Sequence, residues 1–358
     1  ERFDLIVNER ADFGAGYRGR ALCLFELERI PEAADSHLRR FRCRDDHPGS
    51  VATDLEQIAR AALDKNDIET GTRVLEQLPD QVSDGAERAI KVIGDDDRAP
   101  MLILRSRLLL HLNRAGDAVR TLVELVRTDE KSRPQAAKAL EAIIESGQAR
   151  PEADFALSQA HEALDSTPNA LAALVRLYED DITSKENVVR AAQQLVVKAD
   201  DAEVRLFLGR VCIDMRDANG ATEHAVHARR LRPGARRECV ALLRRALELD
   251  AYNPGTHFAI AEAYLAGDQA DDAVRHLRSS VEVERSRARE AIRVLEEAAP
   301  RSKNQGLIWL AVGTTYADFV KDHKSAVQSY TNGLESSPPE ELHVPLLLGR
   351  GDSYAKLK

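Results

Sequence analysis

Residues 306–339, GLIWLAVGTTYADFVKDHKSAVQSYTNGLESSPP, constrain this chain more than any other stretch. Trp309, Val312, Gly313 and Tyr316 recur at i, i+3, i+4 and i+7, which places them on one stripe of a helix. After a polar turn, Ala326, Tyr330, Gly333 and Leu334 form a second stripe at i, i+4, i+7 and i+8. Pro338 and Pro339 end that helix, since proline lacks the N–H and clashes with the preceding turn. Small residues at Gly313 and Ala326 allow two antiparallel helices to approach closely, with large neighbours filling the gaps.

The same arrangement recurs upstream. The small residues on the first helix of each pair are Ala21, Ala59, Ser106, Ser158, Gly209, Ala261 and Gly313, at spacings of 38, 47, 52, 51, 52 and 52 residues. Pro31, Pro168 and Ser184 are good helix starters. Gly147 reads as a C-terminal stop. Each middle interval holds a pair plus one extra helix, about 17 residues per helix and about 20 helices in all. An odd helix count has a consequence in a two-layer stack: equivalent helices alternate between layers. Either the units are three-helix units or part of the register is coincidence. Residues 1–13 are ambiguous, because FDLIV suits a short strand or a helix end.

The 306–339 stretch resembles a tetratricopeptide repeat (TPR), whose W-x2-L-G-x2-Y … A-x3-F … P pattern it follows with one extra residue in the turn. Leu208-Gly209 with Ala221, Ala225, Ala228 and Pro233 is a second match, and Ile260-Ala261, Tyr264 and Ala273 a third. The resemblance implies an all-α fold over residues 14–358: an elongated α-solenoid, a right-handed superhelix of antiparallel helix pairs with extra helices setting a period near 52 residues in the middle. It also implies a concave groove that holds partner proteins or peptides, faced by the residue after each small one: Leu22, Arg60, Arg107, Gln159, Arg210, Glu262 and Thr314. The family's chaperone-binding members clamp a C-terminal carboxylate with Lys and Asn. No Asn stands at the matching places here, which disfavours that role.

Composition agrees with close-packed helices: 43% hydrophobic but only 4% aromatic. The net charge of −9 argues against a general polyanion binder. The four cysteines, Cys23, Cys43, Cys212 and Cys239, show no metal or redox spacing. Cys212 and Cys239 fall on apolar faces, so free thiols in a reducing, cytoplasmic compartment are expected. No apolar run reaches membrane-span length. The chain opens on Glu1 and stops inside the helical LLLGRGDSYAKLK, so a fragment of something longer, truncated at both ends, is expected. A regulatory or substrate-docking region of a larger multidomain enzyme or assembly complex is therefore the alternative to a free-standing scaffold.

No catalytic motif stands out, and neither an enzyme nor a cofactor is expected. His224 and His227 share a helix face but have no further ligand at metal spacing, so they read as surface histidines. His111 and His161 read as core-edge residues. Asp95, Asp96 and Asp97 lack calcium-loop spacing and read as a solvated turn. Arg229, Arg230, Arg232, Arg236 and Arg237, with Arg244 and Arg245, make the strongest basic patch, and Arg39, Arg40, Arg42 and Arg44 a smaller one. No aromatics interleave for base stacking, so an acidic protein fits these patches better than nucleic acid. Arg60, Arg107 and Arg210 have two readings. They either receive the carboxylates of an acidic partner segment in the groove or pair with Asp and Glu of neighbouring helices.

Overall fold

The structure, a computed structural model, describes residues 2–43, 45–148, 150–180 and 185–358. Arg44 and Ser184, singled out above, lie outside them. Among the described residues there are 21 α-helices and no strand. They form two compact units, Glu1–Val188 and Val189–Lys358.

The first unit contains α1 (Arg2–Glu9), α2 (Gly14–Glu26), α3 (Ile30–Arg40), α4 (Pro48–Asp64), α5 (Ile68–Gln81), α6 (Gly85–Ile93), α7 (Ala99–His111), α8 (Ala115–Thr128), α9 (Arg133–Glu145), α10 (Arg150–Ala163) and α11 (Thr167–Asp180). The division falls within α12 (Lys185–Lys198). The second unit continues with α13 (Ala202–Asp214), α14 (Ala218–Leu231), α15 (Arg236–Leu249), α16 (Pro254–Leu265), α17 (Ala270–Val283), α18 (Ala288–Ala298), α19 (Gln305–Thr315), α20 (His323–Glu335) and α21 (Glu340–Lys356). The ambiguous FDLIV segment is helical, within α1.

The pairs marked by small residues pack closely: α2/α3, α4/α5, α7/α8, α10/α11, α13/α14, α16/α17 and α19/α20. One turn geometry joins six of the seven. A left-handed residue stands seven positions after the small residue in each of the six: Glu28, Asn66, Asn113, Asp165, Arg216 and Asp268. The next N–H bonds the carbonyl five residues back, as in Asp217 to Cys212 at 2.8 Å, which closes a Schellman cap on the orphan carbonyls. An aspartate then caps the following helix in several pairs, as Asp217 does by accepting from the Gly220 N–H at 2.9 Å.

In the seventh pair the left-handed residue, Lys321, stands eight positions after Gly313, and the Asp322 N–H reaches back six residues to Tyr316. The extra residue read from the sequence is absorbed there as a π-helical turn, Tyr316–Val320. The left-handed conformation costs a side chain about 1–2 kcal/mol, part of which glycine gives back as chain entropy. Arg216 is exposed and makes no ion pair among the described residues. Arg216→Gly should therefore raise stability by about 0.5–1 kcal/mol, read as a higher urea midpoint. A lower midpoint would mean that the turn is not under this strain.

Layering follows a different rhythm. Helices two apart in the chain pack side by side: α3 with α5, α5 with α7, and α4 with α6; then α13 with α15, α14 with α16, α16 with α18, and α17 with α19. Packing thus repeats every two helices, and the spacing near 52 residues is not the packing unit. Ala221, Ala225 and Ala228 on α14 are fully buried with Leu242, Leu243, Ile260 and Ala261 in one continuous core of the second unit. A comparable core in the first unit runs from Leu24 to Leu108. Each buried leucine contributes roughly 1.5–3 kcal/mol relative to exposure. The chain is an all-α helical repeat of TPR-like pairs.

One residue of the smaller basic patch is buried. Arg40 is 1% exposed and belongs to the core side of α3. Its Nε and Nη2 donate to both oxygens of Asp46 at 2.9 Å, and Nη1 donates to Asp54 and to His37 Nδ1. It is an internal anchor, so it drops out of any partner-binding surface.

Candidate partner-binding cleft

The basic residues read around Pro233 separate into different environments. Arg229 on α14 and Arg236 at the start of α15 line an open cleft of about 650 Å³. Its far side is α18, which supplies Arg293 and Glu297, followed by Arg301; its floor is Glu262 and Leu265 of α16 with the turn residue Gly267. The two-helix layering places α14, α16 and α18 side by side, which is why residues more than 60 positions apart share this face.

The charges in the cleft are unequally paired. Arg229 Nη2 donates to Glu262 at 2.7 Å, while its buried Nε has no acceptor. Arg293 contacts Glu297 at 3.3 Å, one turn along the same exposed surface. Among the described residues Arg301 donates only to the main-chain oxygen of Glu297, at 3.1 Å. Arg236 lies against the backbone of Gly267, where a Cβ would come within 2.0 Å of its Nη1. Among the described residues neither Arg236 nor Arg301 has a carboxylate at ion-pair distance. Asp268 also lines the cleft. It accepts from Ser302 Oγ at 2.8 Å and from the Lys303 N–H at 3.1 Å, bonds that hold its carboxyl below the usual range.

The other predicted residues lie elsewhere. Arg230 and Arg237 are exposed, and neither lines this cleft. Arg232 bonds Glu203 at 2.6 Å, Arg245 reaches Asp214 at 3.6 Å, and Arg244 donates to the Tyr264 hydroxyl. Arg210 lines a separate cleft of about 370 Å³ over α13 and α15, the layer opposite Glu262. In the first unit Arg60 is on α4 and Arg107 on α7, again in opposite layers, so the two do not share a groove. Arg107 bonds Glu76 on the adjacent α5 at 2.6 Å, which is the intramolecular pairing considered above.

A histidine pair had no sequence signal of its own. His257 on α16 and His276 on α17 meet through their Nδ1 atoms at 2.9 Å, with Tyr264 stacked on His276. They face each other only because the antiparallel turn at Asp268 folds one helix onto the other. Burial, then the neighbouring His257 and Arg275, pushes His276 down to about 4. None of the four cysteines is disulfide-bonded; burial raises the thiols of Cys43 and Cys239 and pushes Cys212 up to about 11, so these three are inert at neutral pH. No helix among the described residues is long and apolar enough to cross a membrane.

No family model and no curated protein sequence matches the chain. Three solved structures are similar over most of its length. Yeast Tom70 is 11% identical, covering 96% of each chain, at a TM-score of 0.20. The P58(IPK) TPR domain is 12% identical, covering 99% of this chain and 91% of its own, at 0.20. The APC/C hetero-tetramer Cut9-Hcn1 is 12% identical, covering 95% and 83%, at 0.19.

Proposed function

We propose that the chain is a protein-interaction scaffold whose Arg229–Arg301 cleft receives an acidic segment of a partner protein. The observation that carries this reading is the presence of two guanidinium groups, Arg236 and Arg301, in one open cleft without carboxylate partners. A guanidinium presents a fork of donors that matches a carboxylate in two parallel bonds. Helical repeats stack without a lid over such a face, which suits an extended or helical segment better than a small substrate. The reading involves no catalytic step and no cofactor. A cytoplasmic setting belongs to the same proposal, supported by the unpaired thiols.

Fluorescence anisotropy with a labelled twelve-residue peptide rich in Glu and Asp tests it. The native chain should bind with an affinity that falls as salt rises. Arg236→Gln combined with Arg301→Gln should weaken binding at least tenfold and flatten the salt dependence, with helicity unchanged by circular dichroism. Arg210→Gln, on the opposite layer, should change little. Equal binding by the native chain and the double variant would overturn the assignment.

A further inference from the structure

Resting on the acidic-segment reading, we propose that the group held at the centre of this cleft is a phosphoryl group, so that the partner segment carries phosphoserine or phosphothreonine. Four arginines and three carboxylates line the cleft, and Arg229 is ion-paired with Glu262 and Arg293 with Glu297. Asp268 is taken up by Ser302 and Lys303. Arg236 and Arg301 are left without a carboxylate. A single carboxylate neutralises one of them. A phosphoryl group carries about −1.5 to −2 charges near neutral pH and three acceptor oxygens, enough to bond both at once.

The approach side of the cleft is also set by a backbone feature. The Arg236 guanidinium occupies the space that a side chain at position 267 would fill, so Gly267 fixes where that charge stands. Arg301 follows α18 directly and is tied back by its bond to the Glu297 carbonyl. Arg301 is therefore held before a ligand arrives, which lowers the ordering cost of binding. The cleft, at about 650 Å³, exceeds a phosphoryl group and leaves room for the residues flanking it.

The test uses the full chain and three labelled peptides of one acidic sequence, with Ser, Asp or phosphoserine at the central position. At pH 7.5 the phosphopeptide should bind at least tenfold tighter than the other two. That advantage should fall away as pH drops from 7.5 to 5.5, because the second phosphate ionisation lies near 6 while carboxylates stay charged there. Arg236→Gln should remove most of the phosphate preference. Gly267→Val, which keeps every charge but displaces the Arg236 guanidinium, should do the same. Equal affinities for the three peptides would overturn the phosphoryl assignment and leave the acidic-segment reading standing. Failure of all three to bind would overturn both. Tighter binding of a single-stranded oligonucleotide than of the phosphopeptide would replace the protein partner with nucleic acid.

Discussion

Arg40→Met should destabilise the first unit by about 3 kcal/mol, far more than the loss of any exposed arginine in the chain. The native guanidinium is sequestered from water and spreads its donors over Asp46, Asp54 and His37. Both carboxylates are themselves largely shielded, at 15% and 20% exposure. Removing the cation strands two anions, and that desolvation cost, more than the lost attraction, sets the size of the effect. Adding Asp46→Asn and Asp54→Asn to the variant should therefore restore part of the stability, although it deletes further charges. Urea unfolding followed by hydrogen exchange in α2–α4 measures this. A loss below 1 kcal/mol, or no recovery in the triple variant, would show the network to be dispensable.

His37 is pushed down to about 4, first by burial and then by the Arg40 cation, from an ordinary value of 6.5. The folded state thus binds fewer protons than the unfolded chain. The stability tied to neutral His37 is complete above about pH 6.5 and is lost as pH falls toward 4. Without Arg40 that repulsion disappears, the folded value rises toward 6.5, and the loss across this window should be shallower.

The helical pairs were legible because their determinants are local. Ala59 or Gly209 on a stripe announces a close approach, and the left-handed residue follows at a fixed distance, Asn66 or Arg216. Even the one-residue irregularity beside Gly313 survives as the π-helical turn before Lys321. Layer membership was not legible. It depends on counting every intervening helix, and each added helix turns the next equivalent face to the other side. Hence Arg60 and Arg107, identical in local setting, stand in opposite layers. Arg40 shows a different limit. In sequence it is one arginine of a basic run, and only the packing of α3 and α4, with the loop carrying Asp46, decides that it points inward. Cleft residues Arg293 and Arg301 gave no signal because they join Arg229 only through α16, the helix between them.

Tyr330→Ala should cost about 3–5 kcal/mol in the C-terminal helices and should exceed Trp309→Ala. The stripe reading centred on Trp309, yet that side chain is only partly buried at the edge of the second unit's core. Tyr330 is 2% exposed and is among the largest fully enclosed side chains. Two neighbouring helices present glycines to its ring. A Cβ on Gly313 of α19 would lie 2.5 Å from Tyr330 Cε1, and one on Gly349 of α21 would lie 2.6 Å from Cζ. The ring therefore fills the space that two missing side chains leave between three helices, and its removal opens a cavity that flanking backbones cannot close. Gly313→Ala tests the same contact from the other side. It gains about 1 kcal/mol in helix propensity but must displace an enclosed ring, so it should be destabilising on balance. In a Tyr330→Ala background the same change should become neutral or favourable, because its clash is gone. Since repeat stability is largely a nearest-neighbour sum, hydrogen exchange in Tyr330→Ala should accelerate through α19–α21 and leave α2–α8 unchanged. Uniform acceleration along the chain, or a larger effect from Trp309→Ala, would contradict this account of the last pair.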